Sequence, residues 1–197
     1  RLIFSKGHAA TALYIVLNMC GFFGIANHVK NILSLENNIR KGISSLSHRG
    51  PDDSGFFKCP NVFLAHRRLS IIDLEHGHQP MFSSDGKKII VFNGEVFNYK
   101  ELKDRLKGLG HSFRSGSDTE VILVAYEHFG EKCLELFHGM FAFAIYDQEN
   151  REIFAARDRF GIKPFYHSLY EGSVIFGSEA KAFYDSGLVA FEPKEKN

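Results

Sequence analysis

Met19-Cys20 is the pair of residues in this chain with the clearest capacity for chemistry. A thiol needs a base before it becomes a nucleophile. If Met19 is the true start and is removed, Cys20 carries both a thiol and a free α-amine. The α-amine has a pKa of roughly 7.7–8.0 and the thiol one of about 8.5, so proton transfer between them costs little. A lone cysteine is more often a small buried hydrophobe, so a catalytic role for Cys20 requires support from the rest of the chain.

Arginines that flank predicted elements are the next candidates. Arg68 falls at the end of an apolar strand. Arginines there mostly form surface salt bridges, but a guanidinium can also clamp a carboxylate through two hydrogen bonds. Arg49 follows the first helix, in a loop broken by Gly50 and Pro51. We expect Arg49 to have a structural role, tying this loop in place.

Two further segments place polar groups at corners. Asn93-Gly94-Glu95 is typical of a hairpin turn. Alternatively, the Asn93 side-chain amide and the Gly94 backbone N–H converge on an oxyanion. Asp118 follows a helix cap, where the helix dipole alone favours an acid, or it holds a substrate ammonium. Each of these segments is a weak signal by itself.

Composition and charge narrow the function classes. The 197 residues suit one domain or a domain and a half, and the net charge of +1 gives no electrostatic case for nucleic acid or acidic lipid. Three scattered cysteines (Cys20, Cys59 and Cys133) are too few for a disulfide framework or a zinc site. We therefore expect a cytoplasmic protein with no metal site.

Apolar periodicity predicts an α+β fold of layered antiparallel sheets. Apolar residues at three- and four-residue steps predict a first helix between Ile32 and Leu46, with Glu36 and Arg40 paired on its polar face. Asn98 with Glu101, and Ser117 with Glu120, predict capping boxes for two more helices, the second ending at Gly130. A short helix is expected over 179–186. Strands are predicted at 20–26, 62–69, 88–92, 140–146, 152–156, 164–167 and 173–176. The last four read as one antiparallel meander.

Seven ordered motifs together resemble one family. They are Met19-Cys20-Gly21-Phe22-Phe23-Gly24, His48-Arg49-Gly50-Pro51-Asp52, Leu64-Ala65-His66-Arg67-Arg68-Leu69-Ser70-Ile71-Ile72-Asp73, Asn93-Gly94-Glu95, Gly116-Ser117-Asp118-Thr119-Glu120, Gly139-Met140-Phe141-Ala142-Phe143-Ala144 and Arg157-Asp158-Arg159-Phe160-Gly161. Over residues 19 to about 183 the chain is similar to the glutaminase domain of glutamine-dependent asparagine synthetases, which are class II amidotransferases of the N-terminal nucleophile type.

The resemblance implies a fold and residue roles. The fold would be a four-layer α-β-β-α sandwich of two antiparallel sheets. Cys20 would attack the side-chain amide of glutamine, with its own α-amine as the base, and Asn93 and Gly94 would hold the oxyanion. Substrate binding would fall to Arg68 on the α-carboxylate, to Glu95 and Asp118 on the α-amino group, and to the backbone of Leu69, Ser70, Ile71 and Ile72 along the pocket. The glutaminase itself would need no cofactor.

The resemblance also divides the chain. Residues 1–18 have the outline of a signal peptide and resemble a fragment of transketolase; we expect them to be a non-native or upstream leader. Residues 19–187 would be the amidotransferase domain, and residues 188–197 would begin a linker to a synthetase domain. That domain, with its ATP and Mg²⁺, would normally share the chain, and a homodimer is possible.

Three alternatives stay open. A related glutaminase could amidate another acceptor, for example in polysaccharide biosynthesis. Glucosamine-phosphate synthase and the first enzyme of purine synthesis have a Trp-containing motif at the arginine clamp, and this chain has no Trp, which disfavours them. A chain that keeps its leader would leave Cys20 blocked and could act only as a non-catalytic binding module.

Overall fold

A computed structural model describes residues 19–69 and 77–190, and it shows two antiparallel sheets that face each other. The strands, in chain order, are β1 (Gly21–Ala26), β2 (Asp53–Cys59), β3 (Val62–Arg68), β4 (Met81–Phe82), β5 (Lys88–Val96), β6 (Gly139–Asp147), β7 (Glu152–Arg157), β8 (Tyr166–Tyr170) and β9 (Ser173–Gly177). One sheet has the order β2-β3-β1-β9-β8 and the other has the order β4-β5-β6-β7.

Helices cover the outer face of each sheet. They are α1 (Glu36–Ser44), α2 (Tyr99–Gly108), α3 (Asp118–Phe129) and α4 (Ala180–Asp185), with 3-10 turns at Leu33–Leu35 and Gly130–Leu136. Helices α1 and α4 pack on the five-stranded sheet, and α2 and α3 pack on the four-stranded sheet. A third apolar cluster fills the space between the sheets. The predicted α+β class and its α-β-β-α layering are therefore confirmed. In the part of the chain that the structure describes, no helix has the length and apolarity needed to cross a membrane.

Local signals predicted some helix ends correctly. Ser117 caps α3 by accepting a hydrogen bond from the Thr119 N–H at 3.1 Å, and the helix ends at Gly130, where φ is 58°. The Glu120 carboxylate does not complete the predicted capping box, which would require a hydrogen bond from the Ser117 N–H. It accepts hydrogen bonds from the backbone N–H groups of Arg114 and Ser115, at 2.9 and 2.8 Å.

Three local predictions were wrong. Helix α2 begins after Asn98, but that side chain makes no cap; it bonds to the Leu136 carbonyl and the His138 N–H. Asn93-Gly94 lies inside β5 and forms no hairpin turn. The predicted meander is two hairpins, with β6 and β7 in one sheet and β8 and β9 in the other, because the chain crosses between the sheets after Arg157.

Leu64 provides a test of the inter-sheet layer. It is fully buried on β3 within that layer, whereas Leu169 on β8 is 76% exposed. We expect Leu64→Ala to lower the free energy of unfolding by about 2–5 kcal/mol, because a buried cavity remains. Leu169→Ala should change it by less than about 0.5 kcal/mol. Equilibrium denaturation in urea measures both, and equal effects would contradict a core between the two sheets.

Candidate active site

Cys20 lies directly before β1 in the chain, and in space it lies next to Leu69, the residue that follows β3. Its Sγ accepts a hydrogen bond from the Leu69 N–H at 3.3 Å and donates to the Leu69 carbonyl at 3.6 Å. Burial raises the pKa of the Cys20 thiol, and the Leu69 hydrogen bond together with the charges of Arg68 and Arg49 opposes that rise. The thiol therefore sits in a desolvated pocket with cations close by.

Arg49 fixes the backbone of the cysteine. Its Nε donates to the Cys20 carbonyl at 3.1 Å, and its Nη1 donates to the Glu179 carboxylate at 2.7 Å. A Cβ on Gly50 would lie 2.3 Å from the Arg67 carbonyl carbon, so only glycine lets this loop lie against β3. The predicted structural role of Arg49 is thus confirmed, and its partner is the segment that carries the thiol.

Strand alternation turns Cys20 and Arg68 to the same side. Phe22 on β1 pairs with His66 on β3. Phe22 faces the other sheet, and the His66 Nε2–H donates across to the Phe92 carbonyl of β5 at 3.0 Å. Side chains two residues apart in a strand point to the same face of the sheet. Cys20 is two residues from Phe22 and Arg68 is two residues from His66, so both face inward as well. Arg68 is 4% exposed.

Asn93 meets them from the opposite sheet. Val91, two residues earlier on β5, faces inward, as does Ala142, which pairs with Asn93. Neither the nitrogen nor the oxygen of the buried Asn93 amide has a hydrogen-bond partner within the described residues. At Gly94, φ is +148°, and a Cβ would lie 2.1 Å from the Met140 carbonyl oxygen. Glycine is thus required beside this amide.

Two carboxylates lie beyond Asn93, one on β5 and the other at the start of α3. Glu95 follows Gly94 and shares the inward side with Asn93. The Asp118 carboxylate at the start of α3 accepts a hydrogen bond from the Val96 N–H at 3.0 Å. Burial, with Glu95 nearby, raises the pKa of Asp118 to about 6. The charge on Asp118 is therefore favoured by any cation that binds there.

The structure places most predicted site residues in one region. Leu69 contacts the thiol directly. Predicted residues Ser70, Ile71 and Ile72 lie outside the described residues. The sequence did not predict Lys163 as part of this region. In the structure it is 1% exposed, and its Nζ lies 3.1 Å from the sulfur of Met19. The signal available was a lysine inside an otherwise apolar stretch.

The chemistry of this group suits a zwitterion with a neutral amide. Arginine offers a bidentate partner to a carboxylate, the two acids attract an ammonium, and the neutral amide of Asn93 suits an oxyanion. A thiol stands between these groups. The arrangement can bind an α-amino acid and present its side chain to sulfur.

Comparison with known proteins gives matches over most of the chain. Residues 19–196 match the family model described as a glutamine amidotransferase domain. The chain is 42% identical over 166 residues to asparagine synthetase [glutamine-hydrolyzing] 1 of Bacillus subtilis, covering 83% of this chain and 26% of the relative. It is 41% identical over 178 residues to the asparagine synthetase [glutamine-hydrolyzing] of Zea mays, and the match covers 89% of this chain and 30% of that relative. This chain thus spans about a quarter to a third of these relatives.

Solved structures show the same fold at lower identity. The glutamine phosphoribosylpyrophosphate amidotransferase of Bacillus subtilis superposes with a TM-score of 0.69 at 23% identity, over 85% of this chain and 44% of that one. The allosteric regulatory enzyme of purine biosynthesis superposes with a TM-score of 0.71 at 22% identity, over 85% of this chain and 43% of that one. At these identities the likeness concerns the fold alone.

Asp118 allows a test of the buried charge. The raised pKa means that the folded protein binds a proton that the unfolded chain has lost, so stability falls as pH rises from about 4 to about 6. Asn keeps an oxygen for the Val96 N–H but carries no charge. We expect Asp118→Asn to raise the free energy of unfolding at pH 8 by about 1–3 kcal/mol. Denaturation at pH 8 and pH 4 measures this.

The matched control is Asp104→Asn on α2, because that side chain is 78% exposed. It should change stability little at either pH. The Asp118→Asn gain should shrink toward pH 4, where the wild-type carboxyl is protonated. A variant less stable than wild type at pH 8 would contradict the assigned burial cost.

Proposed function

The chain belongs to the family of glutamine amidotransferase domains, and from this premise we propose that it hydrolyses glutamine to glutamate and ammonia with Cys20 as the nucleophile. The thiol proton passes to the α-amine of the same residue, and the thiolate attacks the side-chain amide carbon. The ammonium returns that proton to the amide nitrogen, which leaves as ammonia. Water then cleaves the thioester to release glutamate and restore the thiol.

The observation that carries the proposal is the buried amide of Asn93, which has no hydrogen-bond partner in the described part of the chain. Such an amide costs free energy, and this one faces the sheet that bears Cys20. The oxyanion that forms on the amide oxygen of glutamine, when sulfur attacks the amide carbon, would accept hydrogen bonds from the Asn93 side chain and from the Gly94 N–H. The hydrogen bond would then form only during the reaction, as transition-state stabilisation requires.

Substrate recognition is proposed for the charged residues around this centre. Arg68 binds the α-carboxylate of glutamine, and Glu95 and Asp118 bind its α-ammonium. We propose that the backbone of Leu69, whose N–H donates to the thiol, also contacts the substrate. Because a bound ammonium stabilises the Asp118 carboxylate, substrate binding offsets the desolvation that raises its pKa.

The mechanism sets a condition on the N-terminus. An α-amine at Cys20 exists only when nothing precedes it, so we propose that residues 1–19 are removed and that the amidotransferase domain, predicted over residues 19–187, then begins at Cys20. The described strands and helices lie between Gly21 and Asp185. A chain that begins at Cys20 therefore retains all of them.

The product ammonia indicates a larger activity. Since the named relatives are glutamine-hydrolysing asparagine synthetases that extend well beyond the matched region, we propose that this domain supplies ammonia to a synthetase domain. That domain would use ATP and Mg²⁺ to make asparagine from aspartate. A cytoplasmic location and a homodimer belong to the same proposal, and a different acceptor is the alternative. Feeding ammonia to the complete protein with candidate acids identifies the acceptor.

Cys20 and the leader are tested together. The chain processed to Cys20 should release ammonia from glutamine, whereas Cys20→Ala and the chain that retains residues 1–19 should release none, because each lacks the thiol or its base. Cys59→Ala is the control, since Cys59 lies on β2 outside the site. Glutaminase assays with intact mass give the answer. Equal rates with and without the leader would contradict the mechanism and favour a different base.

Asn93 is tested through the chemical step. Loss of one oxyanion donor typically lowers kcat by about 10²–10³, so we expect that loss for Asn93→Ala, with KM nearly unchanged. Asn61→Ala, at the β2–β3 turn, should leave both constants unchanged. Steady-state kinetics on the processed chain measures the split. A normal kcat for Asn93→Ala would remove this residue from the oxyanion site.

A further inference from the structure

Lys163 is a buried lysine that the proposed mechanism does not use. It is 1% exposed, and its Nζ lies 3.1 Å from the Met19 sulfur. Lysines are almost never fully buried unless they are paired. Its ammonium lies beside Met19, the residue directly before Cys20. The α-amine of Cys20 would form next to it when Met19 is removed.

The loop that carries Lys163 is held firmly. The Asp158 carboxylate accepts hydrogen bonds from the backbone N–H groups of Phe141, Phe160, Ile162 and Lys163, at 2.9–3.2 Å. Burial alone would raise the pKa of Asp158, but these bonds hold it below its usual value. From the other side, the Arg157 guanidinium donates to the carbonyls of Lys163 and Gly161.

The charges around this lysine form one connected set. Burial lowers the pKa of Lys163 to about 8, and Arg49 lowers it further, whereas Cys20, Asp158 and Glu95 act in the opposite direction. The ammonium and the thiol are therefore within electrostatic reach of each other. The charged groups that face the pair come from several elements: Arg49 with its partner Glu179, Arg68 on β3, Glu95 on β5 with Asp118 beside it, and Asp158 on the loop of Lys163 itself.

We propose that Lys163 is an electrostatic positioning residue for Cys20, whose fixed positive charge stabilises the thiolate and disfavours protonation of the α-amine. The second half of this statement rests on the proposed function; the first half needs only the thiol. A cation near sulfur favours its charged form, and the same cation repels an ammonium. The first effect favours the thiolate, and the second keeps a larger fraction of the α-amine neutral at a given pH, as a base must be before it accepts the thiol proton.

An ammonium at this buried position carries a desolvation cost. With a pKa of about 8, Lys163 carries its full charge only well below that pH, so its effect on the thiol is greatest there. Burial raises the pKa of the thiol, and under the proposal the Lys163 charge, which interacts electrostatically with Cys20, would oppose that rise.

The test measures thiol reactivity across pH in the full chain. Iodoacetamide alkylation of Cys20 is followed from pH 6 to 10, with peptide mass to separate it from Cys59 and Cys133. Three variants are compared: Lys163→Met, Lys163→Arg and, as a control, Lys88→Met. Lys88 lies near Asp147 with Nζ 3.6 Å from the carboxylate, five residues before Asn93 on β5.

Lys163→Met should shift the alkylation profile upward by about one pH unit, which is about tenfold slower reaction at pH 7. Lys163→Arg keeps the charge and should keep the wild-type profile, as should Lys88→Met. An unshifted profile for Lys163→Met overturns the proposal. So does an Arg variant that reacts as slowly as the Met variant, because charge would then not be the operating property. If the Met variant does not fold, Lys163→Gln, which also removes the charge, takes its place in the comparison with Lys163→Arg.

A second measurement separates this inference from the glutaminase proposal. In chain processed to Cys20, the rising limb of the pH profile of kcat/KM should move upward in Lys163→Met and stay in place in Lys163→Arg. A wild-type chain without glutaminase activity would sink the proposed function while the alkylation result still stood. A normal glutaminase with identical pH profiles in all variants would sink the role of Lys163 alone.

Discussion

The antiparallel register of β1 against β3 is the constraint on which the site depends. Phe22 stands opposite His66 in the layer between the sheets, and two-residue alternation therefore turns Cys20 and Arg68 inward. The same alternation on β5 brings Asn93 to face them. A one-residue slip of β1 would turn the thiol toward the helices. Packing of the apolar residues between the sheets therefore also orients the reactive groups.

The site carries a cost that the rest of the molecule offsets. Burial raises the pKa of the Cys20 thiol and of the Asp118 carboxyl and lowers that of Lys163. Each group is thus less stable in its charged form than it would be in water. The apolar clusters on both outer faces of the sheets supply the compensating stability, and the proposed substrate would bring charges of opposite sign to Arg68 and Asp118. This is how a site trades stability for function.

Sequence patterns predicted elements whose signals are local. Helix α3 has its serine cap and its terminal glycine within the segment itself, and so its bounds could be predicted directly. Predictions failed where distant partners decide. The Asn98 side chain bonds to Leu136 and His138 instead of capping α2. Likewise, Asn93-Gly94 has the composition of a turn, but pairing with β6 extends it as strand.

Site residues were foreseeable where a motif carries them. Cys20, Arg68, Asn93 and Asp118 lie in motifs whose order along the chain predicted a common site. Lys163 could not be assigned, because its environment comes from Met19, a residue 144 positions earlier.

The contact between Lys163 and Met19 also bears on the proposed removal of the leader. While Met19 is attached, it occupies the place beside the lysine and blocks the amine. Under the proposed mechanism, its removal would free an amine next to a positive charge that is already in place, so the thiol would gain its base where the thiolate is already favoured.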